Sequence, residues 1–172
     1  MIERPTYLKK LFDFKDKDLI KVVTGIRRCG KSTLFDLYIK KLLEEGVSPK
    51  QIIHINLEDP VFHDLDDYLK LYNYVMKEIK KDIKYYVFLD EVQNVKEFQK
   101  ACDGLYIHKN IDLYITGSNA NLLSGELATL LSGRYIEIQM LPLSFKEYCS
   151  NFKEKNYDRL YLDYVNKSSF PY

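Results

Sequence analysis

Several features that mark other classes of protein are scarce in this sequence of 172 residues. There are only three cysteines and no CxxC pair, so neither a disulfide framework nor a zinc knuckle is indicated. No run approaches the ~20 apolar residues of a membrane span, and the first residues lack the apolar core of a signal peptide. The formal net charge is only +1, so no overall field directs the molecule to nucleic acid or to a membrane surface. With a hydrophobic fraction of 46%, these absences predict one globular domain in the cytoplasm.

What is present is a glycine loop between an apolar, β-branched run and a helical pattern. It has the spacing G-x-x-x-x-G-K-S of a phosphate-binding loop. Its residues are Gly25, Ile26, Arg27, Arg28, Cys29, Gly30, Lys31 and Ser32, followed by Thr33. Glycines let the backbone wrap closely, and successive N–H groups at a helix N-terminus bind an anion. We expect Lys31 to reach the β- and γ-phosphates and the Ser32 hydroxyl to bind Mg²⁺; the plainer alternative is a glycine turn with an incidental lysine.

Two acidic residues, Asp90 and Glu91, end a second apolar run over Tyr85–Leu89. Five apolar residues in a row are typical of a strand buried on both faces of a parallel sheet. Carboxylates at the end of such a strand are costly unless they face a cation or water. We therefore expect Asp90 to orient the Mg²⁺ shell and Glu91 to polarise the attacking water.

Two further segments are candidates for contacting the nucleotide. A small polar cluster ends the strand predicted over Ile111–Thr116, the fourth along the chain. There Ser118 or Asn119 is expected to sense the γ-phosphate or the water; a Gly-Ser turn is the alternative. The segment ahead of a phosphate-loop strand often lies across the base pocket. Arg4 or Tyr7 is therefore a candidate for contacting adenine, with packing on the core as the alternative.

Strand and helix patterns alternate through five cycles, which predicts an α/β fold with a parallel, doubly wound sheet. A helix is predicted from Leu65 to Lys81 with Asp64 as its cap, and another from Asn121 to Leu131. Ser144 and Glu147 form a capping-box pattern before a helix that begins at Phe145. Residues 1–141 are predicted to be the core with an N-terminal adenine-side segment, and residues 142–172 an incomplete helical extension.

Taken together, these motifs resemble the AAA-type P-loop ATPase domain of archaeal and bacterial ATP-binding proteins. The segments that carry the resemblance are 25–34, 55–60, 87–93, 115–119, 131–135 and 141–145. The resemblance implies ATP with Mg²⁺ and the strand order 5-1-4-3-2. It also implies that Arg134 is an arginine finger acting on a neighbouring subunit's nucleotide, although a helix C-terminal arginine that compensates the dipole fits equally.

Members of that family usually continue into a C-terminal region with winged-helix and nuclease-like elements, whereas this sequence stops at Tyr172. The resemblance allows a contact with nucleic acid through that missing region, which the residues present do not indicate, and it allows a homo-oligomer through Arg134. No membrane partner is expected.

The function predicted from motifs and resemblance is ATP binding and Mg²⁺-dependent hydrolysis that drives a conformational switch. The residues expected in catalysis are Glu91, Lys31, Arg134 and Asn119. One alternative is a nucleotide-binding assembly or DNA-associated module with little turnover. The other is a small-molecule phosphotransferase. Glu91 directly after Asp90 argues against the latter, because an activated water competes with an acceptor substrate.

Overall fold

A five-stranded, all-parallel β-sheet forms the centre of the molecule in a computed structural model that describes residues 2–118, 131–152 and 156–167. The strands are β1 (Ile20–Gly25), β2 (Ile52–Asn56), β3 (Tyr85–Asp90), β4 (Ile111–Gly117) and β5 (Tyr135–Met140). Their order is β2-β3-β4-β1-β5. This confirms the predicted order 5-1-4-3-2, seen from the other edge.

The three inner strands and the two edge strands differ in burial. β1, β3 and β4 are buried along their whole length, whereas β2 and β5 are partly exposed. Inner strands of a parallel sheet are covered on both faces, so they are built from continuous apolar runs. That is why the apolar strings before Gly25 and Asp90 were visible in the sequence.

Helices cover both faces of the sheet, as a doubly wound fold requires. They are α1 (Pro5–Asp13), α2 (Lys31–Glu44), α3 (Tyr68–Glu78), α4 (Phe98–Tyr106), α5 (Phe145–Ser150) and α6 (Tyr157–Lys167). The apolar faces of α1 and α2 contribute to one core cluster, and those of α3 and α4 to the other. Among the helices of the described residues, none is both long and apolar enough to cross a membrane.

The predicted boundaries of α3 are wrong. The helix begins at Tyr68 rather than Leu65 and ends at Glu78 rather than Lys81, and its cap is Asp67 rather than Asp64. The backbone just before the helix pairs with another segment. Lys96 N donates to the Asp66 carbonyl (2.8 Å), and the Lys96 carbonyl accepts from Tyr68 N (3.0 Å). This pairing is non-local, and the Asp67 carboxylate then caps the helix by accepting from two amides.

The helix predicted to begin at Phe145 is confirmed, and α6 follows it along the chain. Ser144 Oγ accepts from Glu147 N at 3.3 Å, and Glu147 Oε2 accepts from Ser144 N at 2.8 Å, which completes the predicted capping box of α5. The predicted helix from Asn121 to Leu131 falls almost entirely outside the described residues.

Candidate nucleotide-binding site

The carboxyl ends of three neighbouring strands bring the polar motifs together. β4 lies between β1 and β3, so the loop after Gly25 and the acids after Leu89 flank the end of β4. The register aligns Val23 with Thr116, and Leu89 with Ile115. Ligands of open α/β sheets bind at this edge.

The glycine loop adopts a backbone conformation that requires glycine at both of its ends. Gly30 precedes α2 with φ 98°, a left-handed conformation, and a Cβ on Gly25 would lie 2.5 Å from the Met140 carbonyl oxygen. Within the described part of the chain no side chain caps α2. Its first N–H groups are therefore available to a bound anion, and the helix dipole favours negative charge there.

Lys31 links this loop to the acidic pair. Its side chain is 3% exposed, and Nζ lies 3.2 Å from the Gly25 carbonyl oxygen, 3.4 Å from that of Ile26 and 3.3 Å from Glu91 Oε1. A buried ammonium needs such partners. All three contacts are long, so a phosphate oxygen can compete for the donors.

Asp90 is buried at the end of β3, and its two carboxylate oxygens differ. Thr116 Oγ1 donates to Oδ1, whereas Oδ2 is buried and has no hydrogen-bond partner among the described residues. An unpaired buried carboxylate oxygen is costly, and a cation or a metal-bound water removes that cost. Asp90 therefore fits a cation.

Magnesium is compatible with this donor set. Ser32 lies exposed in the first turn of α2, and one or two protein oxygens together with phosphates and waters usually complete a magnesium shell. The described residues contain no cluster of three or more His, Cys, Asp or Glu that would form a protein-only cage. Ser32 and Asp90 could thus hold Mg²⁺ only together with a nucleotide.

Glu91 is held at its backbone and at both side-chain oxygens. Its backbone N donates to Thr116 Oγ1 at 2.9 Å, and its φ of 56° is left-handed, which is uncommon for a residue with a side chain. Oε1 faces Lys31, and Oε2 accepts from Gln93 Nε2 at 2.6 Å. Sequence reasoning missed Gln93, although its position two residues after the acidic pair was a usable signal.

The comparisons with known proteins identify the family of this chain. A family model described as an AAA domain matches residues 17–149. The chain belongs to this family. It is 43% identical over 178 aligned residues to an uncharacterized protein of Haemophilus influenzae, covering 99% of this chain and 44% of that protein. It is 34% identical to the uncharacterized protein MJ1544 of Methanocaldococcus jannaschii, covering 83% of this chain and 30% of the relative. The chain thus spans less than half the length of these curated relatives.

Solved structures agree on the fold of this AAA domain. Cdc6p of Pyrobaculum aerophilum superposes with a TM-score of 0.59 at 13% identity, covering 87% of this chain and 48% of the other. The Walker-type ATPase PABY2304 of Pyrococcus abyssi gives 0.58 at 15% identity, with 87% and 56% covered. At these identities the similarity establishes a P-loop NTPase fold. Together, family and fold are those of nucleotide-binding proteins.

The remaining side chains of the glycine loop differ in exposure. Cys29 is fully buried, and burial raises the pKa of its thiol although the charges of Lys31 and Arg4 oppose the rise. Arg28 is exposed, and Arg27 lies 3.3 Å from Glu58 in an exposed ion pair of small energetic value. Ile26 is half exposed and Thr33 half buried. The exposed side chains lie around the loop, whose backbone and Lys31 remain the candidate anion-binding elements.

Arg4 is a buried brace. Nε donates to Glu147 Oε1 (2.7 Å), Nη2 to the Leu141 carbonyl (2.8 Å) and Nη1 to the Cys29 carbonyl (3.3 Å). Burial opposes ionisation of Glu147, but hydrogen bonds from Ser144 and Arg4 outweigh it and lower the carboxyl pKa. Arg4 thereby connects the N-terminus and the phosphate loop to α5.

Tyr7 lies on a cavity of about 660 Å³ near this brace. Its hydroxyl accepts from Leu141 N at 3.2 Å, and its ring lies under the Arg4 guanidinium. Pro5, Leu143 and Tyr164 also line the cavity. Contact of Arg4 or Tyr7 with adenine stays a prediction.

The other predicted site residues lie apart from the loop or outside the described residues. The backbone carbonyl of Arg134 accepts from Ile20 N, so Arg134 is at the amino end of β1, the sheet edge opposite the loop. Its guanidinium pairs with Asp103 of α4 and remains 46% exposed. Ser118 follows β4 directly and is half buried. Asn119 lies outside the described residues.

Proposed function

We propose that this AAA domain binds ATP with Mg²⁺ and hydrolyses it. The observation that carries the proposal is the convergence of a phosphate loop with two acids, the buried Asp90 and the partly buried Glu91. Lys31 Nζ lies 3.3 Å from Glu91 Oε1, and the neighbouring Asp90 keeps a buried oxygen that has no hydrogen-bond partner in the described part of the chain. A lysine loosely held beside an unsatisfied carboxylate is the arrangement that Mg-nucleotide completes.

Each residue of the site has a role in this proposal. The loop N–H groups and Lys31 bind the phosphates, and Ser32 and Asp90 bind the ion, which when present neutralises charge on the phosphate oxygens. Once Lys31 turns to the phosphates, Glu91 Oε1 is free to orient the attacking water and accept its proton. Ser118 and Asn119, at the end of the adjacent strand, are the proposed sensors.

The cavity beside the Arg4 brace is the proposed base site. The cavity is lined mainly by apolar groups, and two of its lining residues are joined by the hydrogen bond from Leu141 N to the Tyr7 hydroxyl. Arg4 connects this region to the loop by donating to the Cys29 carbonyl. An aromatic ring and aliphatic side chains suit a purine, whose faces are apolar. Arg4, fully engaged with the protein, would shape this cavity rather than stack on the base.

Arg134 is proposed to act only between subunits. Arg134 lies at the amino end of β1, and the loop follows the carboxyl end of the same strand. In this proposal it therefore acts on the nucleotide of a neighbouring copy and not on that of its own chain. Its exposed pair with Asp103 would have to open for that purpose. The proposal therefore includes a homo-oligomer of this chain.

Phosphate release from Mg-ATP by the wild-type chain and by Glu91→Gln tests the function. We expect the wild type to release free phosphate. The variant should bind ATP with similar affinity but turn over about 10²- to 10⁴-fold more slowly, because it lacks the base. Normal hydrolysis by Glu91→Gln would overturn the assignment of Glu91. Binding without phosphate release in the wild type would favour an assembly module, and labelled acceptor instead of phosphate would favour a phosphotransferase.

A further inference from the structure

Gln93 is a polar side chain of the site that the proposed chemistry leaves without a role. It lies on the short helical turn Val92–Asn94 that follows Glu91. Nε2 donates to Glu91 Oε2 at 2.6 Å, while Oε1 is buried and has no partner among the described residues. An amide must turn its nitrogen toward a carboxylate, since two oxygens repel each other. Glu91 thus fixes the orientation of Gln93 and leaves the amide oxygen unpaired.

A second glutamine shows what a structural amide looks like in this protein. Gln51 Nε2 donates to the Lys84 carbonyl at 2.9 Å, and Gln51 Oε1 accepts from Ser48 N at 3.1 Å. Both ends of that amide are paired, so it stabilises the start of β2. Within the described ranges, Gln93 pairs only the end that faces Glu91. The unpaired end destabilises the folded state, so stability alone does not explain an amide at this position.

The two oxygens of Glu91 have partners of different kinds. Oε2 is held by Gln93, an immediate neighbour on the same turn, whereas Oε1 is held by Lys31 of the phosphate loop. Phosphate oxygens compete for Lys31 but not for Gln93. Nucleotide binding would therefore release Oε1 and leave Oε2 in place.

We propose that Gln93 is the positioning residue of Glu91, holding Oε2 so that Oε1 passes from Lys31 to the attacking water when nucleotide binds. This inference rests on the proposed ATPase function. Without the Gln93 donor, the carboxylate is free to rotate about its side-chain torsions once Lys31 leaves. The loop, Lys31 and Asp90 are unchanged, so the effect falls on turnover and not on nucleotide binding.

The test compares Gln93→Met with the matched control Gln51→Met, by steady-state hydrolysis, ATP binding and thermal unfolding. For Gln93→Met we expect kcat to fall about 10- to 100-fold with the ATP Kd within about threefold, since misplacement of a reacting group costs rate rather than affinity. Its melting temperature should be unchanged or higher. Gln51→Met should melt at a lower temperature and keep its kcat. A normal kcat in folded Gln93→Met overturns the inference.

Two further variants separate positioning from a general structural effect. Gln93→Asn keeps the amide but shortens it by one methylene, so it should lose kcat in the same direction even if Gln93→Met fails to fold. Adding Gln93→Met to Glu91→Gln should reduce single-turnover phosphate release no further, because residues that act as a unit are not additive. Full multiplication of the two effects would overturn the inference.

The outcomes also distinguish this inference from the function on which it rests. If the wild type releases no phosphate, the ATPase proposal fails and the role of Gln93 fails with it. If the wild type and Glu91→Gln behave as proposed but Gln93→Asn and Gln93→Met keep full kcat, only the inference about Gln93 is wrong.

Discussion

Two buried lysines have contrasting surroundings, one near the amino end of β1 and the other beyond its carboxyl end. Lys21 near the start of β1 is hydrogen-bonded to Asp112 and to the Lys17 carbonyl at 2.9 Å. Asp112 in turn accepts from Asp16 N (2.9 Å) and from the Tyr114 hydroxyl (2.7 Å). Burial lowers the pKa of Lys21, and the Asp112 charge opposes that shift. Every charge of this pair is matched.

Lys31, beyond the carboxyl end of β1, is also buried, but its charge is less well matched by its partners. Its contacts are all 3.2 Å or longer, and the adjacent Asp90 has an oxygen without a partner among the described residues. A closed ion pair gains nothing from a ligand, whereas an incomplete one does. The difference teaches that a buried charge does not by itself indicate a binding site. A buried charge whose hydrogen-bond partners are incomplete does.

The largest expected effect comes from replacing each lysine by methionine. Lys21→Met leaves the Asp112 carboxylate buried and uncompensated, and should lower the free energy of unfolding by about 3–5 kcal/mol. Lys31→Met should change it by about 1 kcal/mol or less, but remove the ~2.7 kcal/mol that ATP at 100 times its Kd adds. Urea unfolding followed by circular dichroism, with and without Mg-ATP, measures both. A stability loss in Lys31→Met as large as in Lys21→Met would contradict the distinction.

The two aspartates extend the comparison with a smaller effect. Asp90→Asn keeps the acceptor for Thr116 but removes the charge, so the Mg²⁺-dependent part of ATP affinity should fall about 10- to 100-fold. Stability without ligand should stay the same or rise, because a buried charge is relieved. Thermal shifts with ATP plus Mg²⁺ and with ATP plus chelator measure the difference. Asp112→Asn is the control: it should lower stability and leave the Mg²⁺ dependence intact.

The smallest effect concerns the Arg4–Glu147 pair, which is partly exposed at its carboxylate end. The folded-state pKa of Glu147 lies below its ordinary value of 4.5, so its ionised form adds stability above that value. The contribution is lost as the pH falls below about 4.5 through the folded-state pKa. Glu147→Gln should therefore cost about 1 kcal/mol at pH 7 and less at pH 4, as measured by thermal unfolding. An equal cost at both pH values would show that the pair does not depend on charge.

The fold could be predicted from local sequence patterns, and so could two parts of the candidate site, the glycine loop and the acidic pair. The loop from Gly25 to Ser32 and the acids after Leu89 are contiguous strings, and their spacing follows from backbone geometry. The start of α3 was wrong because Lys96, distant in sequence, pairs with the residues before Tyr68. Gln93 was missed because its importance depends on which of its two amide ends finds a partner.

By itself, the amino-acid sequence determined the alternation of strands and helices, the glycine loop and the acids at the end of β3, since these depend on neighbours a few residues apart. Only the tertiary structure decided which buried charges are matched. Lys21 and Asp112 are 91 residues apart, and Lys31 meets Glu91 across 60. These residues meet only when the parallel strands align. The alignment pairs Lys21 with Asp112 at the amino ends of the strands, whereas at the carboxyl ends it leaves one oxygen of Asp90 without a partner among the described residues.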